Sequence, residues 1–236
     1  MMFEDFGSQH LSLIWRGAIV TVQICVLSVC FGGLLGTVIG LMSAGTIRVL
    51  RWLSTVYVAV IRGIPVLLII FFVYFGLPLL NPGSSLPEFW AAVIALSIFA
   101  SAYIAELVRG SIQAVPRGQF EAAEALGLSY SQRTREVILP QAARMIVPPG
   151  VGFLVVLIKD SSLVAVIGLV DLTRAGNVVS SLTADPITTY LVVGAFYFAV
   201  CFALSTLGRR YERRLGVRVP APGVGDTLTL NTGAAK

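Results

Sequence analysis

The chain has 236 residues, of which 56% are hydrophobic and 12% charged, and its net charge is +5. Soluble domains carry roughly 25% charged residues, so this composition excludes a water-exposed fold and makes a bilayer the natural solvent. The basic excess lies between apolar stretches and in the run Arg209, Arg210, Arg213, Arg214 rather than on a soluble face, which argues against nucleic acid as a partner.

Residues 1–10 open with Glu4 and Asp5, not with the basic region of a cleavable leader. They are read as an external N-terminal segment ahead of a membrane domain over 11–215. The first apolar run extends from Ser12 to Leu41, with no charge between Arg16 and Arg48. At about 20 residues per crossing it is long enough to tilt or to project beyond the hydrocarbon. It carries Ser28, Gly32, Gly36, Gly40 and Ala44 at four-residue spacing, a face on which a neighbouring helix backbone can approach closely.

The connection 42–62 holds Arg48, Arg51 and Arg62, and Pro65 marks a helix break over 62–65 because proline lacks a backbone donor. Arg62 is read as a partner for a cytoplasmic loop or a lipid phosphate. A second run spans Gly63–Leu80 and ends in the turn-rich segment 81–87. A third spans Phe89–Val108, with Ser97, Ser101 and Ala105 repeating the four-residue pattern. Glu106 and Arg109, one turn apart, fit an interfacial ion pair. Tyr103 either reaches toward a solute path or anchors packing.

The polar stretch 109–145 follows. Glu121-Ala-Ala-Glu-Ala-Leu126 favours a helix. Gly127 suits the turn out of it. A second short helix from Ser131 to Leu139 fits, capped by Ser129 or Ser131 and ended by Pro140. This elbow offers Ala122, Ala125, Leu126 and Leu128 as an apolar knob of the kind that enters a groove on another protein.

A fourth run spans Ile146–Val170 and is interrupted by Lys159 and Asp160, about 14 residues and so roughly 20 Å deep. A charge at mid-bilayer costs about 2.5–3.5 kcal/mol on insertion scales, so it needs a partner or an aqueous lining. Lys159, Asp160, Ser161 and Ser162 therefore either line a solute path or hold a broken helix together. A short polar loop, 171–186, leads to the fifth run, Ile187–Leu207. Residues 216–236 are read as a flexible cytoplasmic tail. Cys25, Cys30 and Cys201 lie in apolar runs and read as packing residues, and the single His10 makes a histidine metal site implausible.

Arginines crowd the connections 42–62 and 109–145 and the C-terminal end, whereas 81–88 has none and 171–186 only Arg174. The positive-inside bias places the long loop and C-terminus in the cytoplasm and, with five crossings, the N-terminus outside. The fold class is thus all-α, a membrane bundle of about five transmembrane helices. No phosphate-cradling Gly-x-x-x-x-Gly-Lys-[Ser/Thr] motif is present, and the only lysines are Lys159 and Lys236, so this chain is not expected to hydrolyse ATP.

Glu121-Ala122-Ala123, Gly127 and Ile138-Leu139-Pro140 match the signature of the membrane subunits of ATP-binding-cassette importers. Ile61-Arg-Gly-Ile-Pro65, Ala102-Tyr-Ile-Ala-Glu-Leu-Val-Arg109, Val115-Pro-Arg-Gly-Gln119 and Lys159-Asp-Ser-Ser-Leu163 extend the likeness over about residues 12–215. The chain resembles the polar amino acid permeases of that class, which carry histidine, glutamine, glutamate or arginine. The segment Ile98-Phe-Ala-Ser101 lacks an Asn-Ser-Gly run and is more similar to glutamate/aspartate or general L-amino acid members. The resemblance implies a type I importer fold in the bacterial inner membrane and alternating access. It implies as partners a second permease subunit, identical or paralogous, a dimer of cytoplasmic ATPases holding ATP and Mg, an external amino-acid-binding protein and membrane lipid. It implies that Glu121, Ala122, Ala123, Leu126, Gly127 and Leu128 couple to the ATPase. Lys159, Asp160, Ser161, Ser162, Tyr103 and Ser101 are the candidates for the solute path. A secondary transporter or channel remains the alternative, as do opine-like solutes within the importer class.

Overall fold

The computed structural model describes residues 7–80 and 85–215; the segment before residue 7, the turn at 81–84 and the expected tail 216–236 lie outside the described residues. The described chain is helical. Its elements are α1 (Ser8–Ala44), α2 (Arg48–Gly63), α3 (Val66–Leu80), α4 (Glu88–Gln113), α5 (Arg117–Ala125), α6 (Tyr130–Gln132), α7 (Leu139–Asp160), α8 (Leu172–Thr183) and α9 (Pro186–Leu215). A wide π turn, Arg133–Ile138, joins α6 to α7, and a 3₁₀ segment, Ser161–Ile167, extends α7.

Four helical runs are long and apolar enough to cross a membrane, and α2 with α3, bent by 98°, supplies a fifth crossing if the pair is one broken span. The break falls at Ile64-Pro65, where Pro65 has no donor to continue the ladder.

The centre of the bundle is the α1–α4 contact. Ser28 Oγ donates to the Val93 carbonyl at 3.3 Å. A Cβ placed on Gly32, Gly36 or Gly40 would lie 2.7 Å from Ser97 O, 2.5 Å from Ser101 O and 2.6 Å from Val108 Cβ. The two small-residue faces legible in the sequence therefore face each other, and without side chains in the way the backbones meet. Around this seam Ile24, Ile70, Leu96, Leu157 and Val164 close the core.

Two connections that read as loops are helices. α2 divides its faces: Val49, Trp52, Leu53, Val56 and Val60 are exposed on one, while Arg51, Thr55, Val58 and Arg62 recur on the other. The segment 171–186 forms α8, because Leu172, Ala175, Gly176 and Val179 recur at helical spacing and are buried between α1 and α9. Asp171 caps it, its Oδ1 accepting from Arg174 N at 2.8 Å.

Candidate functional site

Charged and aromatic side chains from α2, α4 and α7 converge in the membrane domain. On α4, Phe99, Tyr103 and Glu106 occupy one face at i, i+4 and i+7. Tyr103 stacks on Phe153 of α7, with ring centroids 5.3 Å apart and planes at 16°, and the Arg62 guanidinium carbon lies 5.0 Å from the centroid of the Tyr103 ring. Arg62, Tyr103 and Phe153 thus join three helices, and the cation–π and stacking contacts align them without a carboxylate. Arg62, read from the sequence as a partner for a loop or a lipid phosphate, rests on the Tyr103 ring here.

Beneath Tyr103, the charged face of α2 and the C-terminal half of α4 enclose a recess of about 450 Å³ lined by Arg51, Thr55, Arg62, Glu106, Arg109 and Gln113. Arg109 Nε donates to Glu106 Oε2 at 3.0 Å and its Nη1 to Gln113 Oε1 at 2.8 Å, which establishes the ion pair read from the sequence. Among the described residues neither Arg51 nor Arg62 has a carboxylate within ion-pair distance.

Above Tyr103, α7 ends at Asp160 and tightens into the 3₁₀ segment, which is the interruption expected there. Asp160 lies seven residues beyond Phe153, so it shares the Phe153 face of α7 about two turns, roughly 10 Å, further along. Lys159 is exposed and Asp160 half-buried, and among the described residues neither forms an ion pair. Ser162 Oγ donates to the Lys159 carbonyl and Ser161 Oγ to the Ile158 carbonyl, each at 2.7 Å. Ser161 is fully buried. Ser101 is also enclosed: it donates to Ile98 O at 2.8 Å and accepts from Tyr57 Oη at 2.6 Å, and its backbone abuts Gly36. Of the six path candidates, Tyr103 and Asp160 share the converging face; Ser161 and Ser101 are committed to helix packing in this conformation. Tyr57 and Phe153 escaped the sequence reading, and Arg51 entered it only as a marker of orientation, although Phe153 was accessible from its seven-residue spacing to Asp160.

The elbow forms a second, separate cluster. α5 ends with Gly127 at φ +76°, where Gly127 N donates to Glu124 O at 2.9 Å and Leu128 N to Ala123 O at 3.2 Å. This paired closure needs a left-handed residue, which glycine supplies without a Cβ penalty. Ser129 rather than Ser131 is the cap: its Oγ accepts from Gln132 N while Gln132 Oε1 accepts from Ser129 N at 3.0 Å. Arg133 Nη1 clasps Glu124 Oε2 at 2.9 Å across the turn. Val115, Ile138 and Ala142 form a small core of their own beneath the elbow.

Leu126 is 80% exposed, Ala122 and Glu121 are exposed beside it, and Leu128 is half-buried, whereas Ala123 is buried inside the elbow. Pro140 does not end the second elbow helix. Leu139 N bonds to Thr134 O, one residue further back than in an α-helix, and this wide turn carries the chain past the missing proline donor into α7. The second helix of the elbow and the fourth span are consequently one helical run, Tyr130–Ile167.

Residues 36–217 match the family described as binding-protein-dependent transport system inner membrane component. The arginine transport system permease protein of Bacillus subtilis is 38% identical over 89% of this chain and 97% of its own length. The glutamine transport system permease protein of Escherichia coli is 35% identical over 88% of this chain and 94% of its own. Among solved structures, an amino acid ABC transporter crystallised with histidines has a chain 38% identical, with a TM-score of 0.82, over 87% of this chain and 95% of that one. The inward-facing methionine transporter MetNI shares the fold, with a TM-score of 0.77 at 23% identity over 89% of this chain and 99% of that one.

Proposed function

This chain belongs to the binding-protein-dependent transport system inner membrane component family, as a permease of the amino acid ATP-binding-cassette kind, and from that premise we propose how it works. It moves amino acids inward by alternating access, driven by a separate pair of ATPases that bind ATP and Mg and dock on the elbow. A second permease subunit completes the path and an external binding protein delivers the solute. The chain lies in the bacterial inner membrane with the elbow and C-terminus in the cytoplasm and the N-terminus outside, as the arginine bias requires.

The observation that carries the coupling is the unbroken run from Tyr130 to Ile167. A rotation of the elbow passes from α5 across the turn spanned by the Arg133–Glu124 ion pair, then along about 45 Å of helix to Lys159 and Asp160. Leu126 enters a groove of the ATPase, flanked by Ala122 and Glu121, while Ala123 holds the elbow together from inside. In the path, Asp160 takes the solute ammonium group and Lys159 its carboxylate. Tyr103, held between Arg62 and Phe153, forms the floor that separates them from the recess. Ser162 lies beside this pair. Ser161 and Ser101 keep the surrounding helices in register.

The test is uptake into proteoliposomes holding the complete complex. ATP-dependent accumulation of an amino acid, insensitive to ionophores, is expected. Lys159→Ala and Asp160→Ala are each expected to lower uptake at least about tenfold, the scale of one lost charged contact, with unchanged complex yield and basal hydrolysis. Accumulation that follows an ion gradient instead of ATP would assign the chain to a secondary transporter. Uptake confined to opine-like solutes would keep the mechanism and change the cargo. Variants that fail only in assembly would return Lys159 and Asp160 to a structural role.

A further inference from the structure

On the far side of α7 from the path, α7 and α9 touch at Val151 and Gly208, where a Cβ on Gly208 would meet Val151 Cγ1 at 2.5 Å. Beyond that contact the helices enclose a recess of about 470 Å³ with two kinds of wall. Val147, Val151 and Leu207 form an apolar side that continues the lipid-facing surface of the spans. Arg210, Tyr211 and Arg214 form the other, and among the described residues no acidic side chain lines it. Leu207, Arg210, Tyr211 and Arg214 share one face of α9 at i, i+3, i+4 and i+7, whereas Arg209 and Arg213 point away. The arginines stand just past the apolar stretch of α9, at the depth of the headgroups.

We propose that this recess binds an anionic phospholipid. Its phosphodiester is held by Arg210 and Arg214 with the Tyr211 hydroxyl as a further donor, and its glycerol and first acyl carbons lie on Val147, Val151 and Leu207. Basic pockets between spanning helices on the cytoplasmic side recognise such headgroups by charge while the apolar wall excludes a water-soluble anion. The assignment does not depend on the importer mechanism, only on the chain crossing a bilayer.

The experiment is a lipid titration of the purified full-length chain in neutral detergent, read by native mass spectrometry. Its probes are phosphatidylglycerol, phosphatidylcholine and inorganic phosphate. One tightly held phosphatidylglycerol is expected, not displaced by phosphate or phosphatidylcholine. At about fivefold per arginine, Arg210→Gln with Arg214→Gln should weaken it about 25-fold. The same charge change at Arg209 and Arg213 should alter it less than twofold. Val147→Trp, which fills the apolar wall and keeps every charge, should also release the lipid. Equal losses in both arginine pairs would reduce the effect to general surface attraction and overturn the site. Displacement by phosphate, equal binding of phosphatidylcholine, or retention in Val147→Trp would each overturn it as well.

Discussion

Asp171 stands at the start of α8, outside the four long apolar spans, with no exposed surface. One carboxylate oxygen caps the helix and the other, Oδ2, has no hydrogen-bond partner. Burial pushes its pKa above the ordinary value of 3.8, and the backbone bond from Arg174 only partly opposes this. The folded state therefore holds the proton more tightly than the unfolded one. The contribution to stability is full below pH 3.8 and is lost as pH rises through the higher folded value. Asp171→Asn keeps an equally good cap and has no charge to bury. The wild type should thus lose ground to Asp171→Asn as pH rises across that window, measured as the difference in melting temperature between pH 4 and pH 8. Asp171→Ala removes the cap and should cost about 1 kcal/mol relative to Asp171→Asn at every pH. A pH-independent difference between wild type and Asp171→Asn would contradict the buried-carboxylate account. Neither the cap nor its burial was read from the sequence, where 171–186 passed for a polar loop; in the fold α1 closes on it, with Gly17 against the Asp171 backbone and Thr21 Oγ1 accepting from Leu172 N at 3.0 Å.

Among the elements, α1 and α4 show how spacing becomes contact. Gly33 and Gly36 look alike in sequence, yet a Cβ on Gly33 meets only Ile104 Cδ1 at 3.9 Å while one on Gly36 falls 2.5 Å from Ser101 O. Gly36→Val should therefore cost about 1–3 kcal/mol as overpacking, and Gly33→Val should be close to neutral. Thermal melting of the two variants in detergent checks the pair, and equal effects would mean the helices do not meet on this seam. The four-residue repeat made that seam legible because both partners carry it. The helical character of α2 and α8 was harder to read. Arg48, Arg51 and Arg62 made α2 look like a polar connection, although they lie among apolar residues that recur on a different face. In α8 the buried residues are small, so its apolar stripe is weak until α1 and α9 cover it. Pro140 misled in the opposite direction: a stop signal for an α-helix is absorbed by a wide turn that sequence pattern does not reveal.

At the scale of the whole molecule, two polar regions sit at opposite ends of one helical run. The first half of the elbow was legible in the sequence, because Gly127 and the Glu121–Leu126 helix former follow local rules, whereas the cap was left between Ser129 and Ser131 and the end at Pro140 was misread. The proposed path was marked in the sequence most clearly at Lys159 and Asp160, where charge conflicts with the bilayer, with Tyr103 as a further candidate. Arg62, Tyr103 and Phe153, which the proposal sets beneath them, come from three distant segments and become one cluster only in the folded bundle. The central claim is that the elbow passes the ATPase's motion to this path. Gly127→Asp tests it most directly. A Cβ at φ +76° costs about 1 kcal/mol or more, and an unpaired carboxylate beside Leu126 opposes entry into an apolar groove. The measurement is ATPase retained per permease and hydrolysis stimulated by solute-loaded binding protein, in complexes purified with Gly127→Asp. The account predicts that retention or stimulation falls at least about tenfold, the effect of some 1.4 kcal/mol, while the permease itself remains folded. Normal stoichiometry together with normal stimulated hydrolysis would contradict it.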